Sequence, residues 1–352
     1  MLGAGGAVCV AGCPSSTAQS PGVSIVRILD PPPAEVKAVL ASLTAALDRP
    51  AGGGGVPAKD PANVLIATWN IRELGGFTDK WVSGPGDSPT RDVRSLLSIA
   101  TMLERFDLIA IQELQQDASA LQQILTWLNR DYPARWRIVV SDVTRGDAGG
   151  GERLGYLFDS SRIDLDGLVG EIVLDNEEVH ISEGRIVRQF ARTPYAVSFR
   201  PVTGTRNAFI VITLHVNWGE AVLRQFEVRR IAEWIRDWAN EPHVWDPDII
   251  TLGDFNIDRS DNPAYAPFFD ILTRPAEMDT FPRTIFAAGK NKHYDQIAWF
   301  DDPPALNFSL HYQDCGYFDF DTLLRPAYNL PAASFSFRIS DHYPMWARFN
   351  TT

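Results

Sequence analysis

From residue 63 the chain alternates short apolar runs with amphipathic stretches, and several of those runs stop at a polar side chain. "VLIATW" (64–69) ends in Asn70, "DLIAIQ" (107–112) in Glu113, "AFIVITLH" (208–215) in His215, and "DIITLGD" in Asp254, with Asn256 two residues on. Asp295 opens "DQIAWF", and the pair Asp341-His342 opens "YPMWARF". Apolar runs this short read as buried strands. Side chains at i and i+2 share one face of a strand, so Asp254 and Asn256 are predicted to point together, with Phe255 turned to the core. Strand ends on a rigid scaffold can converge on one site.

"WRIVVSD" and "RLGYLFD" add further strands. Helical periodicity predicts helices over 91–106, over 117–132 with Asp117 as N-cap, and over 221–239. The last of these is expected to face Phe226, Ile231, Trp234, Ile235 and Trp238 inward. Strands outnumber helices, and helices occur in both halves. That pattern predicts an α/β sandwich in one domain, two mixed sheets face to face with helices outside. Residues 1–60, with "PPP" at 31–33 and "GGGG" at 52–55, are expected to form a tail carrying one short helix in "AEVKAVLASLTAALD", with docking of that helix on the main domain as the alternative. The catalytic domain is expected over 61–352.

A net charge of −12 argues against holding nucleic acid by bulk electrostatics, but it leaves room for an enzyme that takes its positive charge from a metal. Cys9, Cys13 and Cys315 make no disulfide framework. No apolar stretch is long enough to span a bilayer. The N-terminus "MLGAGGAVCVAGC" lacks the basic start of a secretory signal, so a cytoplasmic location is expected, although "VAGC" resembles a lipoprotein cleavage box.

Taken singly, the polar residues have plain explanations. Asn70 could cap a loop, Asp254 could form an Asx turn, and a lone histidine after a strand is usually structural. Taken together they match one chemistry, since carboxylate and amide oxygens suit Mg²⁺, Mn²⁺ or Ca²⁺ and nothing has zinc spacing.

The ordered set "WNIR", "IQEL", "ERLGYLFD", "TLHVNW", "LGDFNID", "YDQI" and "ISDHYP" resembles the endonuclease/exonuclease/phosphatase superfamily, and within it the deoxyribonuclease I-like nucleases, from about residue 63 to 350. The resemblance implies a four-layer αββα sandwich with the site at one edge of both sheets. It implies Glu113 as principal metal ligand, supported by Asn70 and Asp341. His215 and His342 would flank the scissile phosphate, oriented by Glu152 and Asp295 respectively. Asp254 would position or deprotonate the attacking water, and Asn256 would hydrogen-bond the phosphate or the nucleophile. Arg72 and Arg192 match arginines that approach phosphates. The cofactor implied is Mg²⁺, with Mn²⁺ or Ca²⁺ as alternatives.

Two departures bear on substrate. Gln115 stands where the resemblance places a DNA-contacting arginine, and Gly150 where it places a sugar-contacting tyrosine. Trp218, in "HVNWGE", is expected as a core or surface residue, with base stacking as the alternative. "GKNKH" (289–293), Arg185, Arg188 and Arg192 supply local positive charge, normally just solvated and otherwise a phosphate guide. The expected activity is metal-dependent phosphodiester hydrolysis by a monomer, with DNA preferred to RNA. The alternatives are a phospholipid headgroup or sugar phosphate as substrate and, third, a non-catalytic binding module.

Overall fold

Every strand that the apolar runs predict is present. The computed structural model describes residues 31–144, 150–174, 180–182, 185–188, 190–286, 292–301 and 309–351. In chain order the first elements are α1 (Ala34–Leu47), β1 (Asn63–Leu74), α2 (Val93–Leu103), β2 (Leu108–Leu114), α3 (Ser119–Asp131), β3 (Trp136–Val140), β4 (Arg153–Asp159) and β5 (Ile163–Glu171). Next come β6 (His180–Ser182), β7 (Arg185–Arg188), β8 (Tyr195–Pro201), β9 (Phe209–His215), α4 (Ala221–Ala239) and β10 (Ile249–Ile257). The last are α5 (Ala266–Ile271), β11 (His293–Trp299), β12 (His311–Tyr317), α6 (Phe320–Tyr328), α7 (Ala332–Ser336) and β13 (Met345–Asn350).

Six strands form one sheet in the order β12-β13-β1-β2-β4-β3, five form the other in the order β11-β10-β9-β8-β5, and β6 pairs with β7 alone. Both large sheets are mixed: β1–β2 and β9–β10 are parallel, whereas β1–β13 and β10–β11 are antiparallel. Strand alternation sorts the core into three seams. Leu65, Ala67 and Trp69 of β1 face α1, α2, α3 and α6 through Leu43, Leu96, Ile124 and Leu324. Val64, Ile66, Leu108 and Ala110 meet Val197, Phe199, Val211, Ile250 and Leu252 between the sheets. Ile210, Ile212 and Ile249 lie under Ile231, Ile235 and Phe268 of α4 and α5. Helices, sheet, sheet, helices: the four-layer sandwich is the observed fold.

Helix α1 packs on α2 and α6, and Val36, Leu43 and Leu47 are fully buried. Residues 34–47, expected in the tail, therefore cover part of the first sheet's outer layer. At α3 the cap differs from expectation. Ala118 holds the N-cap position, and Asp117 Oδ1 instead accepts the Ser119 N–H at 3.0 Å.

The inward face of α4 also needs correction. Its buried residues include Val228, Ile231, Ala232, Ile235 and Ala239, while Trp234, Trp238 and Phe226 are only partly buried along the flank. Small and branched side chains let the helix approach the sheet. The two indoles lie beside that stripe with ring centroids 4.6 Å apart. Ile235→Ala should therefore cost about 2–5 kcal/mol in urea unfolding, and Trp234→Ala should cost less. The reverse order would place the indole in the core after all.

Candidate active site

At the carboxyl ends of the central strands the regular ladder breaks in three places. β1 and β2 lose register after Asn70, β2 and β4 lose it after Ile111, and β10 and β11 lose it after Asp254. Within these breaks Glu113 has φ 61° and Asn256 φ 51°, left-handed conformations that cost a non-glycine residue energy. Gly253, at φ 142°, could hardly be another residue, because a Cβ there would stand 2.1 Å from the Leu214 carbonyl oxygen. Asp254 and Asn256 do line one cavity and Phe255 is buried, as alternation predicts. The backbone between them is a bulge, however, and the Asn256 N–H folds back onto Asp254 Oδ1 at 2.9 Å.

Strand register brings the ionisable groups together. Asp254 pairs with His215 on one side and Asp295 on the other, a single row across β9, β10 and β11. Asp254 Oδ2 lies 3.7 Å from Nε2 of His215 and 3.7 Å from Nε2 of His342. On the far side of each ring is a second carboxylate. His215 Nδ1 is 3.1 Å from Glu152 Oε2, and His342 Nδ1 is 2.8 Å from Asp295 Oδ2. These carboxylates hold the Nδ1 proton in place and turn Nε2 toward Asp254. Asn70 Nδ2 donates to Asp254 Oδ2 at 3.1 Å, across from the other sheet.

The electrostatics follow from burial and pairing. Burial alone would lower the His342 pKa, but Asp295, Asp254 and Asp341 outweigh it and raise it well above the usual imidazole value. Burial would raise Glu152, yet its bond to His215 and its pairing with Arg192 hold it below the usual range. Arg192 donates to both Glu152 oxygens, at 2.6 and 3.1 Å.

The cavity itself, about 420 Å³, is lined by Glu113, Arg192, His215, Trp218, Asp254, Asn256, Thr284, Phe286, Tyr294, Asp341 and His342. Asn70, Glu152 and Asp295 stand one layer behind, each touching a lining residue. Arg72 does not line the cavity either and reaches it only through Asp341. Its guanidinium stacks 3.9 Å from the centroid of Phe337, donates to Ser336 Oγ at 2.8 Å and lies 3.5 Å from Asp341 Oδ2.

The oxygen donors fit a hard cation in kind. Glu113 and Asp341 share the cavity, and Asn70 Oδ1 is buried with no hydrogen-bond partner among the described residues. No three His, Cys, Asp or Glu side chains among the described residues form a group that could hold a metal; the candidate oxygen donors at the cavity are the two carboxylates and this one amide. Cys315 is free, and Cys9, Cys13 and residues 289–291 of "GKNKH" lie outside the described residues. Among the described residues no helix is long and apolar enough to cross a membrane.

The model of the Endonuclease/Exonuclease/phosphatase family matches residues 67–308, more than half of the chain. The chain belongs to this family. Its members are hydrolases acting on phosphoester bonds. Among solved structures, an endonuclease/exonuclease/phosphatase family protein from Bacteroides thetaiotaomicron is 15% identical with a TM-score of 0.53, covering 82% of this chain and 98% of that one. The human Nocturnin catalytic domain with bound sulfate is 15% identical with a TM-score of 0.52, covering 84% and 97%. A mannosyl-6-phosphatase from Bacteroides thetaiotaomicron VPI-5482 is 16% identical with a TM-score of 0.51, covering 81% and 99%. At such identities these likenesses speak for the fold alone. No curated protein sequence matches the chain.

Several residues that build this family site carried no assignment from sequence. Ser340 Oγ donates to Asn70 O at 2.6 Å and accepts the His342 N–H at 3.0 Å, clamping "SDH" to β1. Trp69 Nε1 donates to His342 O at 2.8 Å. The buried Arg91 donates to the carbonyls of Arg72, Glu73 and Arg338, and burial lowers its pKa to about 10. Arg283 Nε donates to Asp295 O at 2.9 Å from a fully buried position. Ser340 stood inside a recognised motif; Arg91 and Arg283 act through distant backbone and left no local signal.

The two histidine–carboxylate pairs differ in one respect that matters for substitution. Glu152 keeps Arg192 if His215 is removed, whereas Asp295 Oδ1 has no partner among the described residues and Oδ2 relies on His342. His342→Ala should therefore lose about 1–3 kcal/mol of stability by stranding a buried carboxylate, while His215→Ala should keep a melting temperature near that of the parent. Equal thermal shifts for the two variants would contradict this asymmetry.

Proposed function

We propose that the chain is a divalent-metal-dependent phosphodiester hydrolase that cleaves DNA by attack of water on phosphorus. The observation that carries this reading is Asp254 Oδ2 held 3.7 Å from Nε2 of both His215 and His342. Glu113 and Asp341, with the Asn70 amide oxygen, would hold the ion, Mg²⁺ or alternatively Mn²⁺ or Ca²⁺. Such an ion supplies Lewis-acid neutralisation of the phosphate's negative charge.

The remaining steps belong to the chain's own side chains. Asp254 takes the Asn256 N–H on Oδ1 and the Asn70 amide on Oδ2, which leaves it placed to accept a proton from water. The His342 imidazolium, held charged by Asp295, stabilises negative charge growing on phosphorus or gives its Nε2 proton to the leaving oxygen. His215, oriented by Glu152, presents its Nε2 to the site from the other side.

A second reading, hydrolysis of a small phosphoester such as a sugar phosphate or a phospholipid headgroup, has its own support. The cavity is only about 420 Å³, and the two nearby arginines are paired within the protein, Arg192 with Glu152 and Arg72 with Asp341. A long polyanion would find few free cations among the described residues there. The mannosyl-6-phosphatase also has this fold. The retained ligands and both histidines speak against a non-catalytic module.

Plasmid, oligonucleotides of DNA and RNA, glycerophospholipid headgroup esters and sugar phosphates, each with Mg²⁺ or Mn²⁺ and with EDTA, separate these readings. DNA should be cleaved fastest, and EDTA should abolish turnover. A sugar phosphate turned over far faster than DNA would move the assignment to the second reading, and metal-independent activity would remove both. His215→Ala and His342→Ala should each lose roughly 10²- to 10⁴-fold in kcat. Glu113→Gln should weaken Mg²⁺ binding by calorimetry, and Asp254→Asn should slow turnover with metal affinity less affected. If Glu113→Gln leaves the calorimetric affinity unchanged, the ligand assignment is wrong.

A further inference from the structure

Trp218 is 73% exposed, more than any other large hydrophobic residue among those described, yet it lines the same cavity as His215, Asp254 and Arg192. Its turn is pinned at each step. Val216 N–H bonds Asp254 O at 2.8 Å and Val216 O accepts Asn256 Nδ2 at 2.8 Å. Gly219 N–H closes onto Asn217 Oδ1 at 2.9 Å. Arg224 Nη1 donates to Trp218 O at 2.8 Å while its Nε is anchored on Tyr265 OH at 2.9 Å. A rigid turn therefore holds an indole face in water beside the reacting groups, and its backbone ordering is complete before any ligand arrives.

We propose that Trp218 is the stacking platform for a nucleobase carried by the phosphoester that the site cleaves, which makes a nucleotide ester the preferred substrate. The proposal rests on the phosphoester-hydrolase reading above. An indole gains from a flat partner: a nucleobase offers a π-face, and a hexose phosphate or a glycerol headgroup does not. Tyr294, 5.8 Å from the His342 ring between centroids, and Phe286 add further aromatic groups to the same cavity. A lipid surface is the less suitable partner, because Trp218 is flanked by Asn217 and the exposed Glu220 in a chain of net charge −12.

Base–aromatic stacking energies correspond to roughly ten- to a hundredfold in affinity. Stacking away from the reacting atoms is equal in ground and transition states, so it acts on KM. Steady-state kinetics of the parent, Trp218→Ala and Trp218→Phe should be measured with Mg²⁺ on thymidylyl-thymidine, glycerophosphoglycerol and phosphatidylcholine vesicles. Trp218→Ala should raise KM for the dinucleotide by about ten- to a hundredfold with kcat nearly constant and the glycerol diester unaffected. Trp218→Phe should retain most of the affinity. An equal change on both soluble diesters, no change on the dinucleotide, or a loss confined to the vesicles overturns the proposal. Binding is read separately in EDTA by tryptophan fluorescence. Thymidine monophosphate should quench the parent, glycerol 3-phosphate should not, and Trp218→Phe should lose the effect. Should the parent hydrolyse nothing, the catalytic reading falls, and quenching alone then decides the stacking claim: its absence refutes it.

Discussion

Asp254 is a carboxylate with 2% of its surface exposed, and the arrangement around it answers the cost of burying that charge. Four groups answer it: the Asn256 N–H, the Asn70 amide and the two imidazoles. Each imidazole is in turn held at Nδ1 by a second carboxylate, Glu152 or Asp295, and Glu152 also takes Arg192. The chain of compensation runs outward until it reaches solvent or backbone. A site built this way is preorganised, because the dipoles that would stabilise a reacting phosphate already stabilise one another.

The geometry that permits this is paid for in the backbone. Glu113 and Asn256 adopt positive φ, and Gly253 lets β9 and β10 approach more closely than a Cβ would allow. Such strain persists only where surroundings over-determine it. Beneath the site they do. Gln112 Nε2 reaches Thr68 Oγ1 at 3.1 Å and Thr213 Oγ1 at 2.9 Å, a buried polar bridge from one sheet to the other. Arg91 and Ser340 fasten the end of β1 to the loop that carries Asp341 and His342. Rigid strands below and tied loops above explain how residues from distant parts of the sequence share one cavity.

Central strands other than β8 were legible from sequence because burial on both faces makes them continuous apolar runs; β4 spans the predicted "RLGYLFD" and β9 ends at His215 as expected, whereas the run of β8, "YAVSFRP", is broken by Ser198 and Arg200. Of the edge strands, β3 and β11 were legible as apolar runs and β5 and β12 were not. β5, "IDLDGLVGE", and β12, "HYQDCGY", have half-exposed, polar alternations that resemble loops. Helix α6 was hidden by Pro326 inside it. The polar ends of the buried strands gave the site residues, since a charged side chain closing an apolar run is costly unless it has a task.

What the sequence determined by itself was therefore most of the buried strands, their polar termini and, through ordered motifs, the family and the sandwich. Tertiary structure alone decided which of those termini meet. It set Arg72 apart on Phe337 and Asp341, left Trp218 in water at the cavity, and moved the indoles of α4 to its flank. It also supplied Arg91 and Arg283, whose partners include the Arg338 and Asp295 carbonyl oxygens that only the fold brings close. The physical reason is the same in each case. Burial and alternation are local properties that a sequence prints directly, whereas a buried charge finds its partners in space, and only the packed sheets fix that space.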